Sequence, residues 1–249
     1  MDFVKLQKAD GIATLTLSRG KVNALNAIVI DELRARLKAL EVDREVTAVI
    51  LTGSGKFFSF GFDIPEFLAF SKEQFAEYLA NFTDLYTYLF LYPKPVVAAL
   101  NGHTMAGGCM LALACDHRVM TTAGAKIALN EIGFGSSVFA GSTEMLRFWV
   151  GNANATAFLY SGAMYQAEEA RMLGLIHEAS TEQNFTATVE NAASVLGAKA
   201  SPAFSSIKSL LRKSIAEEMR QREAGSIKEF VDIWYSDATW ANLQKIKIY

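Results

Sequence analysis

The chain has 249 residues, of which 51% are hydrophobic and 20% are charged, and its formal net charge is −2. This composition predicts a globular protein with a sizeable core, built as one domain or as one domain with a helical extension. The near-neutral charge gives no electrostatic footprint for nucleic acid, and no uncharged apolar run approaches membrane-spanning length. We therefore expect neither a nucleic-acid partner nor a membrane partner.

The first part of the chain predicts a β-hairpin followed by alternating helices and strands. Residues 3–7 and 12–18 alternate between apolar and polar side chains around the turn Asp10-Gly11. Asn26 is a suitable N-cap for a helix with one apolar face. The later elements, in chain order, are predicted as a strand at 47–52, a helix from 71 to about 91, a strand at 96–100, a helix at 107–114, strands near 117–121 and 126–129, and helices at about 141–150 and 153–160.

The last part of the chain is predominantly helical in pattern. Few strand signals follow Thr181, and Ser201-Pro202 is a good helix start because proline is favoured in the first turn. The early strand and helix alternation indicates an α/β fold with an appended helical segment. We predict a core domain at 1–195 and a C-terminal helical segment at 196–249.

The N-terminus and the cysteines favour a cytoplasmic, reduced protein. The first residues alternate like a strand and show neither a signal peptide nor a transit-peptide pattern. Cys109 and Cys115 fall on the same predicted helix without sharing a face, so a disulfide between them is not expected.

One glycine pair stands where a strand leads into a helix. An apolar run at 96–100 ends in the polar turn 101–103, and Gly107-Gly108 then opens an apolar helix. The first N–H groups of a helix lack internal partners and can receive an anion, or an oxygen that becomes one during a reaction. The alternative interpretation, which this stretch leaves open, is that the glycines only permit a tight turn or close packing.

A second stretch favours the oxygen-binding interpretation. The strand predicted at 47–52 breaks into a glycine-containing loop that ends at 59–65. Two strand ends that each offer one backbone N–H can converge on a single oxygen. Such a pair of donors is the usual arrangement for stabilising an enolate or a tetrahedral oxyanion.

Several motifs in order resemble the enoyl-CoA hydratase/isomerase (crotonase) superfamily along most of the chain. They are Asn23-Ala24-Leu25-Asn26, Phe58-Ser59-Phe60-Gly61-Phe62-Asp63-Ile64, the block from Lys94 to Val119, Leu129-Asn130-Glu131-Ile132-Gly133, and Ala167 to Ile176. The resemblance implies a spiral of ββα units whose C-terminal helices serve trimerisation, giving a homotrimer or a dimer of trimers. It also implies a CoA-thioester site with an oxyanion hole formed by the N–H groups of Phe62 and Gly107.

Glu131 is the candidate base for chemistry next to a thioester carbonyl. It follows a predicted strand, and its neighbours Ile132, Phe134, Val138 and Phe139 suggest an apolar surround that would raise its pKa. On composition alone a helix-start or surface glutamate is the more common situation. The resemblance reverses that preference, because Glu131 falls on the position of one catalytic glutamate of the family.

The chain departs from the hydratase pattern at Met110. The hydratases carry a second glutamate at this position, and hydration needs a water held between acid and base groups. Shifting a double bond needs only one carboxylate that takes a proton from C2 and returns it at C4. The resemblance therefore favours a Δ3,Δ2-enoyl-CoA isomerase acting on 3-enoyl-CoA, with CoA as part of the substrate and no further cofactor.

The resemblance also suggests contacts to the substrate and its CoA part. The segment containing Ala24 and Leu25 falls near the adenine, and Lys56 is a candidate phosphate partner that is equally explained as a solvated loop lysine. Phe60 and Phe62 either narrow the acyl pocket or line it. The loop residues Asp63 and Ile64 complete the predicted set, with Asp63 expected to cap the following helix. Weaker candidates are Lys208, Lys245 and Lys247 as phosphate contacts, and Glu144 as a second acid that more simply faces solvent.

Other interpretations remain open at this point. Another reaction of the superfamily, such as hydration or decarboxylation, would use different acidic groups. A non-catalytic acyl-CoA-binding or scaffold protein would keep the donor loops and tolerate any residue at position 131. The histidines His103, His117 and His177 show no ligand spacing, so we expect no metal site.

Overall fold

The computed structural model describes residues 2–248, which form nine strands and nine α-helices. The strands are β1 (Val4–Ala9), β2 (Ile12–Leu17), β3 (Ala48–Gly53), β4 (Phe57–Ser59), β5 (Val96–Leu100), β6 (His103–Met105), β7 (His117–Thr121), β8 (Ile127–Ala128) and β9 (Glu178–Ser180). The helices are α1 (Ala27–Val42), α2 (Ile64–Phe67), α3 (Lys72–Phe90), α4 (Gly107–Ala114), α5 (Ala140–Ser161), α6 (Ala167–Met172), α7 (Phe185–Gly197), α8 (Ser201–Trp234) and α9 (Asp237–Leu243). A 3₁₀ turn at Glu131–Phe134 follows β8.

The strands form two sheets that are linked by a repeated ββα pattern. The larger sheet has the order β1-β2-β3-β5-β7-β9, and the smaller sheet has the order β4-β6-β8. Among the nine described strands, β1 and β2 pair antiparallel and the other strand pairs are parallel. The strands β3, β5 and β7 are each followed by a short strand of the smaller sheet and then by helix. This arrangement confirms the predicted α/β fold of ββα units.

Local sequence signals explain the first elements. Asp10 and Gly11 both have positive φ, at 49° and 77°, which is the backbone that a two-residue hairpin turn requires. The side chain of Asn26 accepts a hydrogen bond from the amide of Val29 and so caps α1. The hairpin and the capped helix are confirmed as predicted.

The structure differs from the predicted elements in four places. Residues 57–59 and 103–105, expected as loop and turn, are the short strands β4 and β6. Three residues are too few for a period-two pattern to be visible in the sequence. The two helices expected between 141 and 160 are one helix, α5, which is interrupted at Gly151 with φ 72°. The strand expected at 126–129 is limited to 127–128.

The C-terminal helices pack on the same chain. The helix α8 packs against α3 and α5, and α9 packs against α8 and the 3₁₀ turn. Phe230 and Trp234 of α8 are both buried, and the ring of Trp234 lies 4.7 Å from that of Phe75 in α3. The predicted boundary at 195–196 falls in the last turn of α7 and stays a prediction. Between residues 2 and 248 no helix is both long and apolar enough to cross a membrane.

Candidate active site

The three-stranded sheet brings three predicted site residues to one edge. The strands β4, β6 and β8 are parallel neighbours in that order. Phe62, Gly107 and Glu131 each lie within three residues of the end of one of these strands. Because the carboxyl ends of parallel strands share one edge and adjacent strands lie about 4.8 Å apart, these residues come together although they are far apart in sequence.

The two loops that carry the predicted donors are in contact. A Cβ atom on Gly61 would lie 3.0 Å from the amide nitrogen of Gly107, and one on Gly107 would lie 3.0 Å from the ring of Phe62. Gly107 is the first residue of α4, where an amide has no intrahelical acceptor. Within residues 2–248, neither the amide of Phe62 nor that of Gly107 donates a hydrogen bond. Both N–H groups are therefore available to one ligand atom.

Ala106 holds the backbone at Gly107 in an uncommon conformation. Its φ of 47° and ψ of −121° lie in a region that a residue with a Cβ atom rarely adopts. The amide of Ala106 donates to the carbonyl of Ala128 at 2.9 Å, and its own carbonyl accepts from Met110 at 3.0 Å. Strain of this kind costs about 1–3 kcal/mol and persists only where such contacts hold it. The conformation sets the direction of the following N–H group.

Glu131 is a buried carboxyl group that forms no ion pair with any other residue between 2 and 248. It begins the 3₁₀ turn after β8, only 3% of its surface is exposed, and its Oε2 atom has no hydrogen bond. Burial raises its pKa to about 8, although a hydrogen bond from its own backbone acts in the opposite direction. The apolar surround and the raised pKa predicted for this glutamate are both found.

An apolar cavity of about 130 Å³ lies in front of this carboxyl group. It is lined by Phe60, Phe62, Ile64, Met105, Ala106, Asn130, Glu131, Phe134, Phe230, Trp234 and Ile246. Among residues 2–248, Glu131 is the only titratable side chain in this lining. The cavity therefore combines one proton acceptor with walls suited to a hydrocarbon chain.

The residues predicted to contact the substrate or its CoA part lie in different places: some line the cavity and others do not. Phe60 and Ile64 line the cavity, whereas Ala24 lines a neighbouring surface groove together with Lys21. Leu25 is fully buried; its amide donates to Gly61 at 2.8 Å and its carbonyl accepts from Asp63 at 3.0 Å. Leu25 therefore joins its loop to the loop that carries Phe62.

Asp63 has the role that was expected from its position. Its side chain accepts from the amide of Glu66 at 3.2 Å and so caps α2. It also pairs with Arg19 and lines the groove beside Ala24 rather than the cavity. It organises the loop and adds no second acid to the cavity.

Two of the weaker candidates are corrected by the structure. Lys208 is 5% exposed, and its Nζ atom lies 2.8 Å from Asp116, so it is committed to a buried ion pair and cannot meet a CoA phosphate. Glu144, expected to face solvent, is 7% exposed and pairs with Arg147 and Arg222. Sequence reasoning missed the pairs Lys208–Asp116 and Glu144–Arg222 because their members are far apart along the chain.

The remaining lysine candidates are exposed and lie outside the cavity. Lys56 occupies the turn between β3 and β4, and Lys245 and Lys247 follow α9.

Met110 is completely buried in α4, so this position supplies packing and no carboxylate. In the part of the chain that is described, no cluster of three or more histidine, cysteine, aspartate or glutamate side chains could hold a metal ion.

The C-terminal lining of the cavity was missed by sequence reasoning. Phe230, Trp234 and Ile246 close the cavity from α8 and from the segment after α9. The apolar spacing of Ile227, Phe230, Val231 and Trp234 follows one helical face and was available as a signal. The spacing predicts a buried face and does not tell which surface buries it.

The chain is similar to known proteins of one family. The family model described as enoyl-CoA hydratase/isomerase matches residues 7–239. A short-chain-enoyl-CoA hydratase of Clostridium acetobutylicum is 33% identical over 180 residues, which is 72% of this chain and 69% of that protein. A mitochondrial enoyl-CoA delta isomerase 1 of Mus musculus is 28% identical over 243 residues, which is 97% of this chain and 84% of that protein.

Solved structures of both kinds are also similar. The human mitochondrial delta3-delta2-enoyl-CoA isomerase superposes with a TM-score of 0.91 at 27% identity, covering 97% of this chain and 95% of that chain. An enoyl-CoA hydratase from Bacillus halodurans superposes with a TM-score of 0.89 at 26% identity, covering 98% of this chain and 100% of that chain. The match of the family model over nearly the whole length, with the ββα fold, shows that the chain belongs to the enoyl-CoA hydratase/isomerase family.

Proposed function

We propose that the protein converts 3-enoyl-CoA to 2-enoyl-CoA, with Glu131 as the single proton shuttle. The carboxylate removes a proton from C2 of the acyl chain, which gives a dienolate. The resulting carboxylic acid then returns the proton at C4, so the double bond moves into conjugation with the thioester. The proton is conserved within the site, CoA is part of the substrate, and no further cofactor is used.

The observation that supports this proposal is that Glu131 is the single titratable side chain among the described residues that line the cavity. Hydration requires a water that is activated between two groups, whereas isomerisation needs one carboxylate that acts twice. The position where hydratases of the family have a second glutamate holds Met110, which is fully buried among apolar side chains. Asp63 and Glu144, the other acids considered, do not line the cavity.

The donor pair would stabilise the dienolate. In this proposal the thioester oxygen accepts hydrogen bonds from the amides of Phe62 and Gly107, which strengthen as negative charge develops. One donor of an oxyanion hole is typically worth about 10²–10³ in rate, or about 2.7–4 kcal/mol. The apolar walls of the cavity exclude water and so increase the effect of these two dipoles.

The remaining parts of the proposal concern CoA, assembly and location. The acyl chain would occupy the cavity, and the CoA part would run along the groove of Lys21 and Ala24, with Leu25 supporting the loop. Lys56 lines neither of them and stays a predicted contact of a CoA phosphate. From the family resemblance we expect a homotrimer or a dimer of trimers, which light scattering of the purified protein can measure. From the sequence we expect a cytoplasmic protein.

The experiment is a turnover assay with 3-enoyl-CoA substrates of several chain lengths. We expect the absorbance of the conjugated thioester to appear with the wild type and to fall at least about 10³-fold in kcat with Glu131→Gln. Glu223→Gln is the matched control, because Glu223 is also a buried carboxyl with a raised pKa but does not line the cavity. Near wild-type activity of Glu131→Gln would contradict the proposal.

Hydration is the second candidate, since the similar protein from Clostridium acetobutylicum is a short-chain-enoyl-CoA hydratase. The same preparation is therefore given 2-enoyl-CoA, and loss of the conjugated absorbance is followed. Hydration faster than isomerisation would show that another group supplies the second acid. Binding of acyl-CoA without either conversion would favour a non-catalytic binding protein.

A further inference from the structure

The short helix α9 is attached to the turn that carries Glu131. Thr239 of α9 is 2% exposed, and its hydroxyl donates a hydrogen bond of 2.7 Å to the carbonyl of Gly135. One turn later, the side-chain amide of Asn242 donates to the carbonyl of Phe134 at 3.3 Å. These two bonds connect the C-terminal segment to the end of the turn.

Backbone hydrogen bonds join the beginning of the turn to its end. The amide of Ser136 donates to the carbonyl of Glu131 at 3.0 Å, and that of Gly135 donates to Ile132 at 3.1 Å. Gly135 has φ 84°, and a Cβ atom there would lie 3.2 Å from the hydroxyl of Thr239. The turn is therefore a closed unit, and a displacement at Gly135 is transmitted to the backbone of Glu131.

The side chain of Glu131 depends on this backbone placement. Its Oε2 atom has no hydrogen-bond partner, so the position of the carboxylate is set by the backbone and by packing against the apolar cavity wall. Thr239 lies beside Ser236, whose hydroxyl oxygen is 3.2 Å from Oγ1 of Thr239 and donates its proton to the carbonyl of Ile233 at 2.7 Å. The hydroxyl proton of Thr239 is the one that reaches Gly135.

We propose that Thr239 is a positioning residue that fixes Glu131 in front of the acyl cavity through its hydrogen bond to Gly135. The inference rests on the proposed role of Glu131 as the base. It makes the C-terminal segment part of the active site of its own chain, because Ile246, just beyond α9, also lines the cavity. Thr239 does not line the cavity, so it acts through the turn and not by contact with substrate.

The first test compares Thr239→Val with Thr239→Ser. Valine has nearly the shape of threonine but lacks the hydroxyl, and serine restores it. A misplacement of about 1 Å of a catalytic group can cost about 10²-fold in rate. We expect Thr239→Val to lower kcat by about 10- to 100-fold with KM within about twofold, and Thr239→Ser to recover most of the loss.

Thr87→Val provides the matched control. Thr87 is 3% exposed and also donates one hydrogen bond, of 2.8 Å, to a backbone carbonyl, but it lies in α3 outside the cavity. We expect it to cost similar stability and to leave kcat within about twofold. A kcat of folded Thr239→Val equal to that of Thr87→Val would overturn the positioning role.

A second measurement does not depend on the reaction. Hydrogen exchange of peptides covering 131–136 reports whether the turn is held, and Asn242→Ala gives a milder release if Thr239→Val does not fold. We expect faster exchange at 131–136 in either variant and unchanged exchange in Thr87→Val. Unchanged exchange at 131–136 in both Thr239→Val and Asn242→Ala would refute the inference even if the wild type isomerises 3-enoyl-CoA. Conversely, an inactive wild type with the expected exchange pattern would reject the proposed function and retain the connection between α9 and the turn.

Discussion

Gly61 and Gly107 approach each other so closely that a Cβ atom on Gly61 would lie 3.0 Å from the amide nitrogen of Gly107. Gly61 precedes Phe62, and Gly107 begins α4, so this contact aligns the two backbone amides proposed as the oxyanion hole. The distance is set by the neighbouring parallel strands β4 and β6. A side chain at position 61 would intrude between the donors.

Gly61→Ala is therefore expected to impair catalysis more than stability. The new Cβ atom would push the Gly107 amide away from its place, and we expect a fall of about 10²–10³-fold in kcat. The positive φ of 100° at this position adds a strain of about 1–3 kcal/mol. Steady-state kinetics and urea unfolding separate the two effects.

Gly124→Ala is the control for strain alone. Gly124 has φ 76°, and a Cβ atom added there would have no neighbouring atom within 4 Å, so alanine at this position is strained without a clash. We expect it to lower stability by a similar amount and to keep kcat near the wild-type value. Equal loss of kcat in the two variants would show that Gly61 acts through general destabilisation.

The rate of isomerisation is expected to follow the ionisation of Glu131. A base with a pKa of about 8 must lose its proton before it can accept one from C2. We expect kcat/KM to rise about tenfold per pH unit below pH 7 and to level off above about pH 8. A profile that is flat between pH 6 and pH 8 would contradict Glu131 as the base of the free enzyme.

The same carboxyl group should make the fold less stable as the pH rises. Its pKa is raised in the folded state, so between about pH 4.5 and pH 8 the native protein binds more protons than the unfolded chain. Stability then falls as the pH increases through this window. We expect Glu131→Gln to be more stable than the wild type at pH 8 by a few kcal/mol. The upper limit is about 1.4 kcal/mol for each unit by which folding raises the pKa of Glu131.

Thermal unfolding at pH 5 and pH 8 measures this difference. At pH 5 most of the effect is absent, because the folded carboxyl is neutral and the unfolded one is only partly ionised. The wild type and Glu131→Gln should therefore have closer melting temperatures at pH 5 than at pH 8. A gap that is independent of pH would mean that the substitution acts through packing alone.

Lys208→Met is expected to weaken the fold and to leave substrate binding unchanged. It removes one of two cations that pair with Asp116, whose side chain is 9% exposed, the other being Arg212 at 3.1 Å. Breaking a buried pair costs about 3–5 kcal/mol, and we expect the low end because Arg212 remains. KM for acyl-CoA should stay within about twofold. Lys213→Met on the exposed side of the same helix is the control, with an expected change below about 0.5 kcal/mol.

The sequence by itself determined the fold class and the family. The hairpin at Asp10-Gly11, the cap at Asn26 and the glycines before α4 are local signals, and each depends on residues that are close along the chain. The glutamate at position 131 was also visible in the sequence. So was the methionine at position 110, where the hydratases of the family have a second glutamate. Such features are encoded locally, so sequence reasoning can find them.

Only the tertiary structure decided which distant residues share the site. The strands β4 and β6 are too short to show a period, yet they bring the donor loops together. The burial of Glu144 and Lys208 depends on Arg222 and Asp116, which are remote in sequence. Likewise, the apolar spacing in α8 was available as a signal, but only packing shows that Phe230 and Trp234 close the cavity. Long-range packing determines these relationships, and an amphipathic pattern does not specify the surface that it meets.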